Sequence, residues 1–445
     1  IGVFALLPTA DKALEKVGVT VSLVRVGTFK SFAEPFIANA PSPAASEADA
    51  YLFNGLWSTY TEGVEKARKL PAGSVMAMID ELPQRLAAAG GEAGKLALDS
   101  KLVDGLKTRD ELRQMMIERG TKDPEGKTFR QVSFDDYLAR LKPPLLGDAI
   151  GVVVAEGEIT DGRAPAGTVG GASTAELIRK ARDDKSVKAV VLRVNSPGGS
   201  VFGSELVRRE LELTRAAGKP VVVSMGDVAA SGGYWISMAS DEVMADAATI
   251  TGSIGVFALL PTADKALEKV GVHTAGVTTT WLGGVGDPRL PPNPRFNELL
   301  QTAINQIYSE FTTKAAQARK TTPEKIDAVA QGRVWTGAQA KERGLVDTLG
   351  GYRDALKSAT ARAKLPEDAR VVFIQPEPGR AERLLDLLGA TALSQLVAHF
   401  DLQLAPLGVP GTVVREARQE LGWLAEMAEG RKPFAAITHC LCREP

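Results

Sequence analysis

The chain has 445 residues, of which 44% are hydrophobic and 24% charged, with a formal net charge of -1. That length supports two or three domains with their own cores, and the balanced charge without a long Lys/Arg run excludes an electrostatic drive toward nucleic acid. Cys440 and Cys442, beside His439, are too few ligands for a structural metal, so neither metal nor cofactor is expected and the redox compartment stays open.

In chain order, the first feature is a repeat: Ile1 to Val19 recurs letter for letter at Ile254 to Val272. Fainter echoes follow, Ala67-Arg68-Lys69 against Ala318-Arg319-Lys320 and Leu102-Val103-Asp104 against Leu345-Val346-Asp347. Identity stops abruptly after Val19, and in the next eleven positions only Val24 matches its partner, Val277. Ancient duplications do not diverge so sharply. The expectation is therefore a truncated first repeat over 1–145, opening on a copy of second-repeat sequence, a complete second repeat over 146–375, and a helical segment over 376–445. The apolar opening stops at Pro8 and no stretch reaches the ~20 apolar residues of a membrane span, so any anchor is expected upstream of residue 1. Val19 to Val26 reads as a strand that leads to Lys30.

After the Lys142-Pro143-Pro144 linker, short Val-rich runs bounded by turn residues predict buried strands at Ala149–Ala155, Ala189–Val194 and Pro220–Ser224. Helices lie between them. Ser173 and Glu176 have the spacing of a capping box, and Leu206, Val207, Leu211 and Leu213 form an apolar stripe ending at Gly218. Strands alternating with helices imply parallel pairing, so the fold class is α/β. Beyond 375, amphipathic helices are expected at Ala381–Phe400 and Val413–Ala428.

Two loops carry candidate chemistry. Asn195-Ser196-Pro197-Gly198-Gly199-Ser200 follows one strand and presents backbone N–H groups; it is either a tight turn or a cradle for an anion such as an oxyanion. It lacks the Gly-Lys-Ser/Thr of a phosphate loop. The next strand leads into Gly226 to Trp235, where Ser231 stands among small residues, either as a helix N-cap or as a nucleophile with the logic of an elbow. Both loops follow consecutive parallel strands and so emerge at the C-terminal edge of one sheet, where open α/β folds place their sites. A serine nucleophile needs a base. His399 and His439 lie in the tail, and His273 is expected part-buried on a strand; lysine is the documented alternative.

These residues resemble the protease IV family, the long two-repeat form of signal peptide peptidase A, whose fold is related to the crotonases and the Clp protease. The resemblance rests on Arg25 to Phe36, Asn195 to Gly199, Ala229 to Trp235 and Thr251-Gly252-Ser253-Ile254-Gly255. It implies an endopeptidase in which Ser231 attacks the scissile carbonyl, Lys30 takes its proton, and Ser253 hydrogen-bonds the lysine. Backbone N–H groups at Gly198 or Gly199 and at Gly232 would form the oxyanion hole. It further implies apolar peptide substrates such as cleaved signal peptides, a homo-oligomer (a tetramer), and a place at the periplasmic face of the bacterial inner membrane. Two other readings are a crotonase-like acyl-CoA enzyme, which would use a carboxylate base and tolerate loss of Ser231, and an inactive truncated scaffold.

Overall fold

The computed structural model describes residues 2–3, 8–140, 146–165 and 167–375. The expected tail helices, His399, His439 and the two cysteines lie outside them. Within the described part, residues up to Gln375 pack as one compact unit. The elements that position the site are, in chain order, β1 (Thr20–Val26), α1 (Pro43–Arg68), β2 (Ala149–Glu156), β3 (Ile159–Thr160), β4 (Val169–Gly170), α2 (Gly171–Asp183), β5 (Val187–Ser196), α3 (Val201–Ala216), β6 (Val221–Ala230), α4 (Gly232–Ser237), β7 (Glu242–Ala245), β8 (Ile250–Gly252), β9 (Val256–Thr262), α5 (Pro294–Arg319), β10 (Val334–Thr336), β11 (Thr348–Leu349), α6 (Tyr352–Arg362) and β12 (Arg370–Phe373).

The fold is mixed α/β. Eight strands form one sheet in the order β10-β8-β6-β5-β2-β12, with β7 beside β6 and β11 beside β7. Only the β10–β8 pairing in it is antiparallel. The Val-rich runs follow from burial on both faces, as in parallel sheets generally. Val190, Leu192 and Val194 of β5 join the larger core with residues of α2, α3, α4 and α5, while Ala189 and Val191 turn to the other face against Ala355 and Ala359 of α6.

Strand β6 forks. Its first half pairs with β7 (Val222 opposite Glu242), and its second half pairs with β8 (Ala230 opposite Gly252). The sequence ends this strand at Ser224; the structure carries it to Ala230, because Val228 to Ala230 gain a parallel partner in β8 that no local pattern announces. The expected capping box also fails. Helix α2 starts at Gly171, two residues earlier, so Ser173 lies inside its first turn with Oγ donating to the Gly170 carbonyl at 3.2 Å. His273 is exposed in an irregular segment, not part-buried on a strand.

Apart from the main sheet, β1 pairs antiparallel with β9, placing Val26 opposite Val256. The duplicated sequence is helical in both copies, at Asp11–Val17 and Asp264–Lys269. Among the described residues no helix is long and apolar enough to cross a membrane.

Candidate active site

The fork determines where the two serines lie. Ala230 and Gly252 are register partners, so the residues that follow them, Ser231 and Ser253, leave the sheet side by side, and the Ser231 N–H donates to the Gly252 carbonyl at 2.9 Å. Both are non-glycine residues with positive φ, +54° and +53°. Such backbone costs of order 1–3 kcal/mol and persists where the surroundings over-determine it. Ser231 occupies the N-cap position of α4, yet its side chain makes no capping bond; its carbonyl alone serves the helix, accepting from Trp235 N at 2.9 Å. The hydroxyl is thus left for another partner, and the N-cap reading of Ser231 fails on this point.

That partner is Lys30. Its Nζ lies 3.3 Å from Ser231 Oγ, 3.0 Å from Ser253 Oγ and 3.2 Å from the Ser253 carbonyl. The lysine arrives from the end of β1. Gly27 turns the chain at φ +113°, where a Cβ would come within 2.6 Å of the Gln331 backbone. The Phe29 N–H then donates to the Gln331 carbonyl at 2.8 Å. Arg25 Nη1 donates both to the Lys30 carbonyl (3.2 Å) and to Glu34 Oε1 (3.0 Å), and Glu34 also accepts from Ser42 N and Oγ. Lys30 is only 6% exposed. Burial disfavours its ammonium and lowers the pKa from 10.5 to about 8, with no charged neighbour contributing.

Across the cleft the Gly198–Gly199 loop meets Ser231–Gly232. A Cβ on Gly198 would lie 2.6 Å from Gly232 N and 2.8 Å from Ser231 Cβ, so only glycine lets the two backbones approach this closely. The Gly198 N–H is already taken by Ser196 Oγ at 3.2 Å. Among the described hydrogen bonds, the N–H groups of Gly199 and Gly232 have no protein acceptor. They are the two donors available for a developing oxyanion, which the sequence narrowed only to three glycines.

The cleft between these parts is open to solvent and is bordered by Val201, Trp235, Val256, Phe257, Ile307 and Phe311. Only Trp235 falls within a motif read from the sequence; the others lie on three further elements, and each reads locally as an ordinary core residue. Ser204, on the first turn of α3, also escaped notice: its Oγ lies 2.6 Å from where a Gly232 Cβ would be. Ser196-to-Ser204 spacing carries no signal of this. Among the described residues no cluster of His, Cys, Asp and Glu is suited to a metal ion.

Known proteins are similar to this chain in sequence. The chain is 41% identical over 409 residues to "Protease 4" of Salmonella typhi, covering 92% of this chain and 66% of that protein. It is 35% identical to "Protease 4" of Haemophilus influenzae (96% and 69% covered) and 33% identical to "Serine protease SPPA, chloroplastic" of Arabidopsis thaliana (81% and 53%). It thus spans about two thirds of the first two and about half of the third. Among solved structures, a membrane-bound stomatin-specific protease aligns with 52% of this chain and 100% of its own at TM-score 0.33 and 11% identity. A ClpP1 from Listeria monocytogenes aligns with 46% and 94% at TM-score 0.29 and 16% identity. The model of "Peptidase family S49" matches residues 1–121 and 214–366, more than half of the chain and including both Lys30 and Ser231, and the chain belongs to that family.

Proposed function

We propose that the chain is a serine endopeptidase in which Ser231 is the nucleophile and Lys30 the general base. The observation that carries this is the placement of a buried amine, with no charged group shifting it, 3.3 Å from a serine hydroxyl that does not cap its own helix. A neutral Lys30 accepts the hydroxyl proton as Ser231 Oγ bonds to the scissile carbonyl carbon. The carbonyl oxygen becomes an oxyanion between the N–H groups of Gly199 and Gly232. As it collapses, the C–N bond breaks and Lys30 returns the proton to the departing amine; water then repeats the sequence on the acyl-enzyme. The apo distance of 3.3 Å is long for proton transfer, and such contacts tighten when substrate fills the site. Ser253, accepting from Lys30 at Oγ and at its carbonyl, orients the amine.

The apolar walls of the cleft support apolar peptide segments as substrates, and with them the remnants of cleaved signal peptides. The resemblance to protease IV supports a homo-oligomer, a tetramer, acting at the periplasmic face of the bacterial inner membrane. A fluorophosphonate probe should label Ser231 and no other residue, and Ser231→Ala should abolish cleavage of an apolar peptide. Normal kcat in Ser231→Ala would refute the assignment and turn attention to an acyl-thioester reaction with a carboxylate base.

A further inference from the structure

We propose that Arg333 is the positioning residue that holds Lys30 and Ser253 against Ser231, an inference that rests on Lys30 acting as the base. Arg333 lies just before β10 and works through both halves of itself. Its backbone carbonyl accepts from Ser253 N at 2.7 Å, fixing the left-handed turn that aims Ser253 at the lysine. Its guanidinium carbon lies 4.8 Å from the ring centre of Phe29, the residue next to Lys30, 5.2 Å from that of Tyr51 and 4.6 Å from that of Trp335. Nη2 donates to Glu47 Oε1 at 2.7 Å, and the side chain is 14% exposed.

One residue therefore ties the lysine's loop and helix α1, which carries Glu47 and Tyr51, to the strand edge that carries Ser253. The buried Nε has no hydrogen-bond partner, so the guanidinium is held by aromatic faces and one carboxylate rather than by a polar fork. Stacking of that kind needs a planar cation, and lysine cannot reproduce it. The charged groups around it are Glu47 and Arg343, the latter on Trp335 at 3.9 Å and bonded to the Tyr51 hydroxyl. Lys30 itself faces the hydroxyls of Ser231 and Ser253 and, at 5.8 Å, the Phe257 ring; Arg25 reaches only its carbonyl. With no charge close to its Nζ, what loosens the packing around Lys30 should show in how it titrates.

The test uses the full chain with Arg333→Met, Arg333→Lys, Phe29→Leu and Glu47→Gln. Two readouts are taken: kcat and KM on an apolar peptide across pH, and the pH-dependent rate of reductive methylation of Lys30, followed by peptide mass spectrometry. A displaced base typically costs ~10–100-fold. Both Arg333 variants should lose that much in kcat with KM little changed, and the Lys30 midpoint should rise from about 8 toward 10.5 as water reaches the amine. Phe29→Leu and Glu47→Gln should move both readouts in the same direction by less. A folded Arg333→Met with unchanged kcat and Lys30 midpoint overturns the proposal. Should the Arg333 variants fail to fold, unchanged values in both Phe29→Leu and Glu47→Gln overturn it equally. Lys30→Ala separates this inference from its premise: turnover surviving there sinks the base assignment, while the methylation midpoints still report whether Arg333 holds the lysine.

Discussion

A lysine with its amine among hydroxyls and an aromatic ring is a stability liability at neutral pH, and Lys30 is 6% exposed. Its folded-state pKa of about 8 lies below the ordinary 10.5, so between those values the unfolded chain binds more protons than the folded one. Stability from this residue is therefore present above pH 10.5 and is lost as pH falls through 8. Lys30→Met removes the ionisation while keeping the stem. It should raise stability at pH 7 by on the order of 3 kcal/mol at most, a gain that shrinks to nothing near pH 10.5, while abolishing turnover. Thermal unfolding of both proteins at pH 7 and 10 checks this; a Met variant less stable at pH 7 would mean that the lysine is not desolvated. Activity has the same origin. Because only the neutral amine accepts a proton, kcat/KM should rise with pH through one ionisation near 8, and Lys30→Arg, which cannot deprotonate, should be inactive. Nothing local in the sequence separates Lys30 from a solvated lysine after a strand; only the motif around it does.

The strands were legible where physics acts locally. Runs such as Ala189 to Leu192 are apolar throughout because helices cover both sheet faces. The sequence ends strand β6 early because Val228 to Ala230 pair with β8, a partner that no local pattern announces. The capping box misled for a related reason: Ser173 and Glu176 have the right spacing, but the chain was already helical from Gly171. The approach of the two loops gives a prediction at this scale. In Gly198→Ala the new Cβ would press on Gly232 N and Ser231 Cβ at a φ of +105°, forcing the Gly199 and Gly232 donors apart. Losing one such donor costs ~10²–10³ in kcat, with substrate binding largely kept. Near-normal kcat in the folded variant would show that these N–H groups do not hold the oxyanion.

Lys30 and Ser231 are 201 residues apart in sequence, and what joins them is the assembly of the whole unit: β1 on β9, the Gln331 backbone under Phe29, and the β6 fork beside Ser253. Pattern and propensity carry no signal over that distance, which is why the sequence supplied the parts of the site but not their distances. In the structure the two groups of the proposed dyad lie 3.3 Å apart within one chain. An oligomer could instead pair a lysine from one chain with a serine from the next, and mixing inactive variants distinguishes the two arrangements. Lys30→Ala and Ser231→Ala, refolded together and assayed on an apolar peptide, should give no more turnover than either alone, because no chain in the mixture holds both groups. Wild type refolded with Ser231→Ala should retain activity in proportion to the wild-type chains present. Recovery in the first mixture that grows with the chance of the two variants meeting in one oligomer would place the dyad between chains. The β1–β9 pairing would then have to be exchanged between subunits, since it is this pairing that carries Lys30 to Ser231.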